Sequence, residues 1–151
     1  EWLEYYINLG INIILWNYWS YGYSTKQINP KSSKSDGVQV AEFYKEKFQL
    51  TGKFGVHGES LGGSITPYIA SWTNADFMFA DWTFSNFKDV AWGMMGNIGV
   101  LGVTLFTFWR ESSVEDYVGY KGYKVIGCDP NDNVIYELAS LKNSITKYLV
   151  T

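Results

Sequence analysis

Hydrophobic and polar positions change period several times along the chain, and each change marks an element. Trp2, Leu3, Tyr6, Ile7 and Leu9 fall at helical spacing, and Gly10 supplies a helix stop. Residues 11–16 form a nearly continuous apolar run of β-branched and aromatic residues, the pattern of a strand covered on both faces in a parallel sheet. Residues 17–36 are polar and turn-rich, with Pro30 and several serines, and predict a surface loop. From Asp36, a candidate N-cap, Val40, Ala41, Tyr44 and Phe48 return to helical spacing as far as Leu50. Strands are then expected at 54–57, 77–80 and 123–128, with helices at 61–72 and 137–149. Alternation of this kind predicts one α/β domain built on a mainly parallel sheet flanked by helices.

Residues 91–109 break the rhythm. They carry no charged residue and are long enough to raise the question of a membrane helix. Gly93, Gly96, Gly99 and Gly102 each disfavour a helix interior, and their spacing of three is not the small-xxx-small spacing of packed membrane helices. The segment is therefore expected to be a buried or cap-forming helical piece beside the site, broken in two, within a cap or lid at about 86–118.

Composition narrows the function classes. The chain is 46% hydrophobic and 19% aromatic, too apolar for a disordered segment. A net charge of −3, with no interleaving of basic and stacking residues, argues against nucleic acid as a partner. Cys128 stands alone and favours a reducing, intracellular setting. One histidine and one cysteine leave no metal-ligand spacing, and no cofactor motif is visible.

The chemistry-bearing stretch is residues 53–70, KFGVHGESLGGSITPYIA. A short apolar strand leads into Gly58-Glu59-Ser60-Leu61-Gly62 and then a helical pattern. A Gly-x-Ser-x-Gly turn between strand and helix, an elbow, presents the serine Oγ outward, and the next backbone N–H, that of Leu61, is aimed at a developing oxyanion. The plainer alternative is a serine in a tight turn that caps a helix.

Four segments together resemble the α/β-hydrolase superfamily, in its branch of α/β-hydrolase-domain and serine aminopeptidase-like proteins. They are NIILWNYWSYGYS at 12–24, GVHGESLGG at 55–63, ADFMFADWTFSN at 75–86 and VIGCDPNDNVI at 125–135. The resemblance implies a serine hydrolase, of esterase, lipase or peptidase type, acting on a small-molecule, acyl or peptide substrate. It further implies a Ser…Asp…His triad in chain order, with Ser60 as nucleophile and Asp132 as acid, Asp129 being the reserve. Both aspartates have a simpler reading, the shaping of the Asp129-Pro-Asn-Asp132 turn through Asx hydrogen bonds.

The third triad place is empty. His57 precedes the nucleophile on the strand that delivers it, and reads as a packing residue rather than the base. The resemblance also implies an absent strand between residues 11–16 and 54–57 and an absent second oxyanion donor. Truncation at both ends is expected to account for all three, with the 151 residues forming a partial domain that is inactive alone. Trp19 and Trp82 replace arginines common in such proteins and are candidates to line the substrate site, while Pro67 should cost the elbow helix one hydrogen bond. The alternatives are a non-catalytic binding module on the same fold and a membrane-associated hydrolase-like protein.

Overall fold

The computed structural model describes residues 2–107, 109 and 111–150. Phe108, the one residue of the uncharged 91–109 stretch not included, and Arg110 lie outside the described residues. Three short parallel strands, β1 (Gly55–Glu59), β2 (Phe77–Asp81) and β3 (Tyr123–Gly127), pair in the order β1-β2-β3. His57 lies opposite Phe79 and Phe79 opposite Val125, so one face carries the odd-numbered side chains and the other the even. The even face is the core. Val56, Met78 and Ala80 pack there against Ile65, Ile69 and Ala70, and Tyr117, Leu141 and Ile145 complete the cluster. The expected α/β class and the parallel sheet flanked by helices are present.

The helices are α1 (Trp2–Asn8), α2 (Pro30–Lys47), α3 (Leu61–Trp72), α4 (Phe87–Phe106), α5 (Val114–Gly119) and α6 (Leu141–Val150). α2 begins six residues before the expected Asp36. Asn29 caps it by accepting the Ser32 N–H at 2.8 Å, and Pro30 fills the first turn, where its missing N–H costs nothing. Asp36 is therefore an interior helical residue. Pro67, buried within α3, does not end that helix.

Two further expectations are corrected. Residues 11–16 form no strand, because a strand needs a ladder partner and β1 pairs only with β2 among the described residues. Leu15 is 73% exposed, whereas Trp16 and Tyr18 turn inward against the core. The expected helix over 137–149 is interrupted. A 3-10 turn (Glu137–Ala139) precedes an extended Ser140, which bridges Phe84, while the Leu141 N–H donates to the Thr83 carbonyl at 2.9 Å.

The chain exposes 10035 Å², against about 7,800 Å² for a compact monomer of 17.3 kDa. Two apolar faces contribute to the excess. On the odd face, α1 covers His57 and Phe79 through Trp2, but Tyr123 and Val125 remain 85% and 56% exposed. The other is the outer surface of α4.

Candidate active site

Ser60 stands at the junction of β1 and α3 with φ 53° and ψ −115°. A side chain with a Cβ pays roughly 1–3 kcal/mol to sit in such a sparsely populated region. Neighbours hold it there: its N–H donates to the Asp81 carbonyl at 2.9 Å, and its carbonyl accepts from Thr83 Oγ1 at 2.7 Å and from the Ser64 N–H at 3.3 Å. Ser60 is exposed, and its hydroxyl makes no helix-capping bond. The plainer reading, a serine that caps α3, loses its defining contact.

The glycines around it divide by need. A Cβ on Gly58 would collide with the Gly62 carbonyl group, and one on Gly63 would lie 2.6 Å from Thr83 Cβ. Gly62 has only the Tyr18 hydroxyl nearby, at 3.4 Å. The tight corner therefore rests on Gly58 and Gly63, and the second glycine of the pentapeptide is the dispensable one. Leu61, as the first residue of α3, has an N–H with no intrahelical acceptor.

No family model, curated protein or solved structure matches the chain. The meaning of the site therefore rests on its own geometry.

Asp129 and Asp132 lie in the turn that follows β3. Asp132 Oδ1 accepts the N–H groups of Val134 at 2.7 Å and Ile135 at 3.0 Å, and Asp129 Oδ1 accepts that of Asn131 at 2.8 Å. Both make the Asx bonds of the simpler reading. Asp132 is tied more firmly, by two bonds, and its turn reaches the elbow through packing: Ile135, Phe84, Val90 and Ala139 form a second apolar cluster that Leu61 and Phe87 join. Elbow, acid-bearing turn and the start of α4 thus meet in one place.

His57 is turned away from this meeting point. Its Nδ1 lies 2.9 Å from the Tyr6 hydroxyl, its ring stacks on Phe79 with centroids 4.7 Å apart, and Trp2 closes edge-on at 4.7 Å. Nε2 is buried without a hydrogen-bond partner. Burial pushes the imidazole below its ordinary pKa, with Asp81 and Glu59 partly opposing. This is the packing residue expected from the sequence.

Trp82 is half exposed at the end of β2, in a left-handed conformation with φ 40°, its N–H bonded to the Gly127 carbonyl at 3.0 Å. Trp19 lies beneath the Lys26 ammonium, 4.5 Å from the ring centroid. A cleft of about 390 Å³ opens between α4 and α6, lined by Ser85, Asp89, Trp92 and Lys147 among others, and Trp19, Trp82 and Ser60 do not border it.

Three residues at the elbow were not singled out from the sequence. Asp81 is buried beside Gly127, whose missing side chain makes room for the carboxyl group, and burial raises its pKa. Thr83 holds the Ser60 carbonyl. Tyr18 faces Gly62, and burial, with some help from Tyr21, pushes its phenol up to about 12. Only the position of Asp81 at the end of an apolar run offered a signal. The other two depend on contacts across the fold.

Residues 86–112 leave and return at one point. Ser113 closes the neck, donating its N–H to the Ser85 carbonyl at 3.0 Å. Lys34 braces it, pairing with Glu111 at 3.0 Å and Asp116 at 3.1 Å. Asn86 caps α4 reciprocally with Asp89: its Oδ1 accepts the Asp89 N–H at 3.0 Å and its Nδ2 donates to Asp89 Oδ2 at 2.7 Å. Within α4, Gly96 has φ 59° and ψ −147°, which splits the helix in two as the glycine spacing predicted. Burial is the part that differs. Only Val90 and Gly99 of α4 are buried.

Proposed function

We propose that this chain carries the nucleophile of a serine hydrolase of the α/β-hydrolase type, acting on an ester, thioester or amide. The strained backbone of Ser60 is the observation that carries this reading. A serine that merely ends a strand has no reason to occupy φ 53°, ψ −115°, whereas a nucleophile must be lifted clear of its own helix.

In the proposed reaction Ser60 Oγ attacks the carbonyl carbon and passes its proton to an imidazole. The C=O π electrons move to oxygen, which accepts the Leu61 N–H and feels the positive end of α3. Collapse expels the alcohol, thiol or amine with that proton, and water releases the acyl group from Ser60. Asp132 is the proposed orienting acid, since Oδ1 is engaged by its own turn and Oδ2 remains for an imidazole N–H. The imidazole itself comes from outside these residues, because His57 is committed to Tyr6 and Phe79.

The test is acyl-enzyme formation by the full-length protein with an aryl ester. A burst of phenolate equal to the enzyme concentration, lost in Ser60→Ala, is the expected result. A folded protein with no burst and no turnover leaves the non-catalytic binding module as the better reading.

A further inference from the structure

We propose that the outer surface of α4 is a docking face for a neutral, zwitterionic lipid surface. The observation is a helix that is apolar and uncovered at once. From Val90 to Trp109 the sequence has no charged residue. Only 11% of its apolar window is buried. Met95, Ile98, Leu101 and Leu105 are 66%, 75%, 57% and 61% exposed, and Phe106 is 84% exposed. A helix that is apolar yet not inside a protein core belongs in lipid or against another surface.

Length decides how it would enter. The kink at Gly96 leaves arms of nine and ten residues, about 14 and 15 Å long, neither able to cross a hydrocarbon core of about 30 Å. The arms also fold together. A Cβ on Gly99 would lie 2.9 Å from the Ala91 carbonyl carbon, two residues that an unbroken helix would hold about 12 Å apart. The motif is a short re-entrant wedge fixed at its neck by Ser113 and Lys34, and such a wedge enters one leaflet.

Charge selects lipid over protein and neutral lipid over anionic. Protein interfaces surround an apolar centre with a polar rim, whereas beyond the adjacent Lys88 and Asp89 of the first turn neither arm carries a charged residue. Helices that seek anionic membranes carry several Lys and Arg on their polar face; α4 has Lys88 alone, set beside Asp89, and the chain as a whole has net charge −3. The proposal does not depend on the role of Ser60, although docking would bring the elbow near the lipid, because Phe87 and Val90 pack with Leu61.

The probe is phosphatidylcholine vesicles in a flotation assay with the full-length protein. Wild type is expected to float with the vesicles, with no need for anionic lipid and no release by high salt. The triple variant Ile98→Gln, Leu101→Gln, Leu105→Gln should lose at least about a hundredfold in partitioning, as expected for removing three apolar anchors. A control pair on the sheet face, Tyr123→Gln with Val125→Gln, should float as wild type does. Should the triple variant fail to fold, an environment-sensitive dye at Ile98→Cys in a Cys128→Ser background keeps the question open to test. That dye should shift to the blue on vesicles, and one at Phe43→Cys on α2 should not. Absence of flotation by folded wild type, flotation unchanged in the triple variant, or a requirement for anionic lipid overturns the proposal. So does a lipid-free dimer that the triple variant abolishes, which would assign the face to a second copy. Failure of Ser60 to react would leave a positive flotation result intact.

Discussion

Replacing Ser60 by Gly and, separately, by Ala isolates the backbone strain on which the elbow depends. Both variants lose Oγ, which makes no capping bond, so neither forfeits a stabilising contact there. Ala keeps a Cβ and hence the penalty of φ 53°, ψ −115°, about 1–3 kcal/mol. Gly removes that penalty but loosens the unfolded chain, at a cost of about 0.4–1 kcal/mol. The difference leaves Ser60→Gly more stable than Ser60→Ala by about 1 kcal/mol. That reverses the usual order, in which Gly is the worse residue by up to about 1 kcal/mol inside regular structure. For a chain of this size the gap is a Tm difference of about 2–4 °C. Urea denaturation of the two variants, with equal m values confirming a common unfolded state, reads it directly. An Ala variant as stable as the Gly variant would refute the strained elbow.

The neighbouring glycines give a second contrast by the same assay. Gly58→Ala and Gly63→Ala should each cost about 1–3 kcal/mol through overpacking, whereas Gly62→Ala, with only an ordinary contact to the Tyr18 hydroxyl and a helical position, should be neutral or stabilising. Asp132→Asn keeps an Oδ1 acceptor for its turn, so its denaturation midpoint should hardly move while the rate of Ser60 acylation by the full-length protein falls by about 10⁴-fold. Asp129→Asn should leave that rate unchanged. His57 predicts a pH effect. Its pKa is lowered on folding, so the unfolded chain takes up the proton first and the stability present above the free value of 6.5 is lost as pH falls through the folded one. Asp81, with its pKa raised by burial, acts in the opposite sense: its contribution is present below the free value of 3.8 and is lost as pH rises through the folded one. Thermal melts from about pH 7 to 5 should show stability falling, and His57→Phe, which keeps the stack on Phe79, should flatten that fall.

What the sequence revealed were the features written in consecutive residues. The passage from the apolar run into Gly58-Glu59-Ser60 and on to the α3 pattern needs no distant partner, and it folds as read. So does the break of α4 at Gly96, because four glycines at spacing three undermine one helix locally. The failures share a cause. Residues 11–16 have strand composition, but no neighbour among the described residues supplies the ladder, and Trp16 takes its contacts from the core side. Ser140 looks helical until Phe84, distant in sequence, pairs with it. The start of α2 was hidden for a different reason: Asn29 and Pro30 are turn residues that also begin helices, and the serines after them obscured the pattern. At the site, the place of Asp81 at the end of an apolar run shows in the sequence, but the room for its carboxyl group appears only once Gly127 lies opposite it. The exposure of α4 was the least legible feature, since apolar residues of a core and of a lipid-facing wedge read alike.

The most direct test of the account is where a fluorophosphonate attaches to the folded full-length protein. Mapping of the modified peptide by mass spectrometry should find one phosphonylated residue within 53–70, at Ser60, with attachment lost in Ser60→Ala and strongly slowed in Asp132→Asn. A folded protein that takes up no probe, or one modified at another serine with Ser60 untouched, would contradict it.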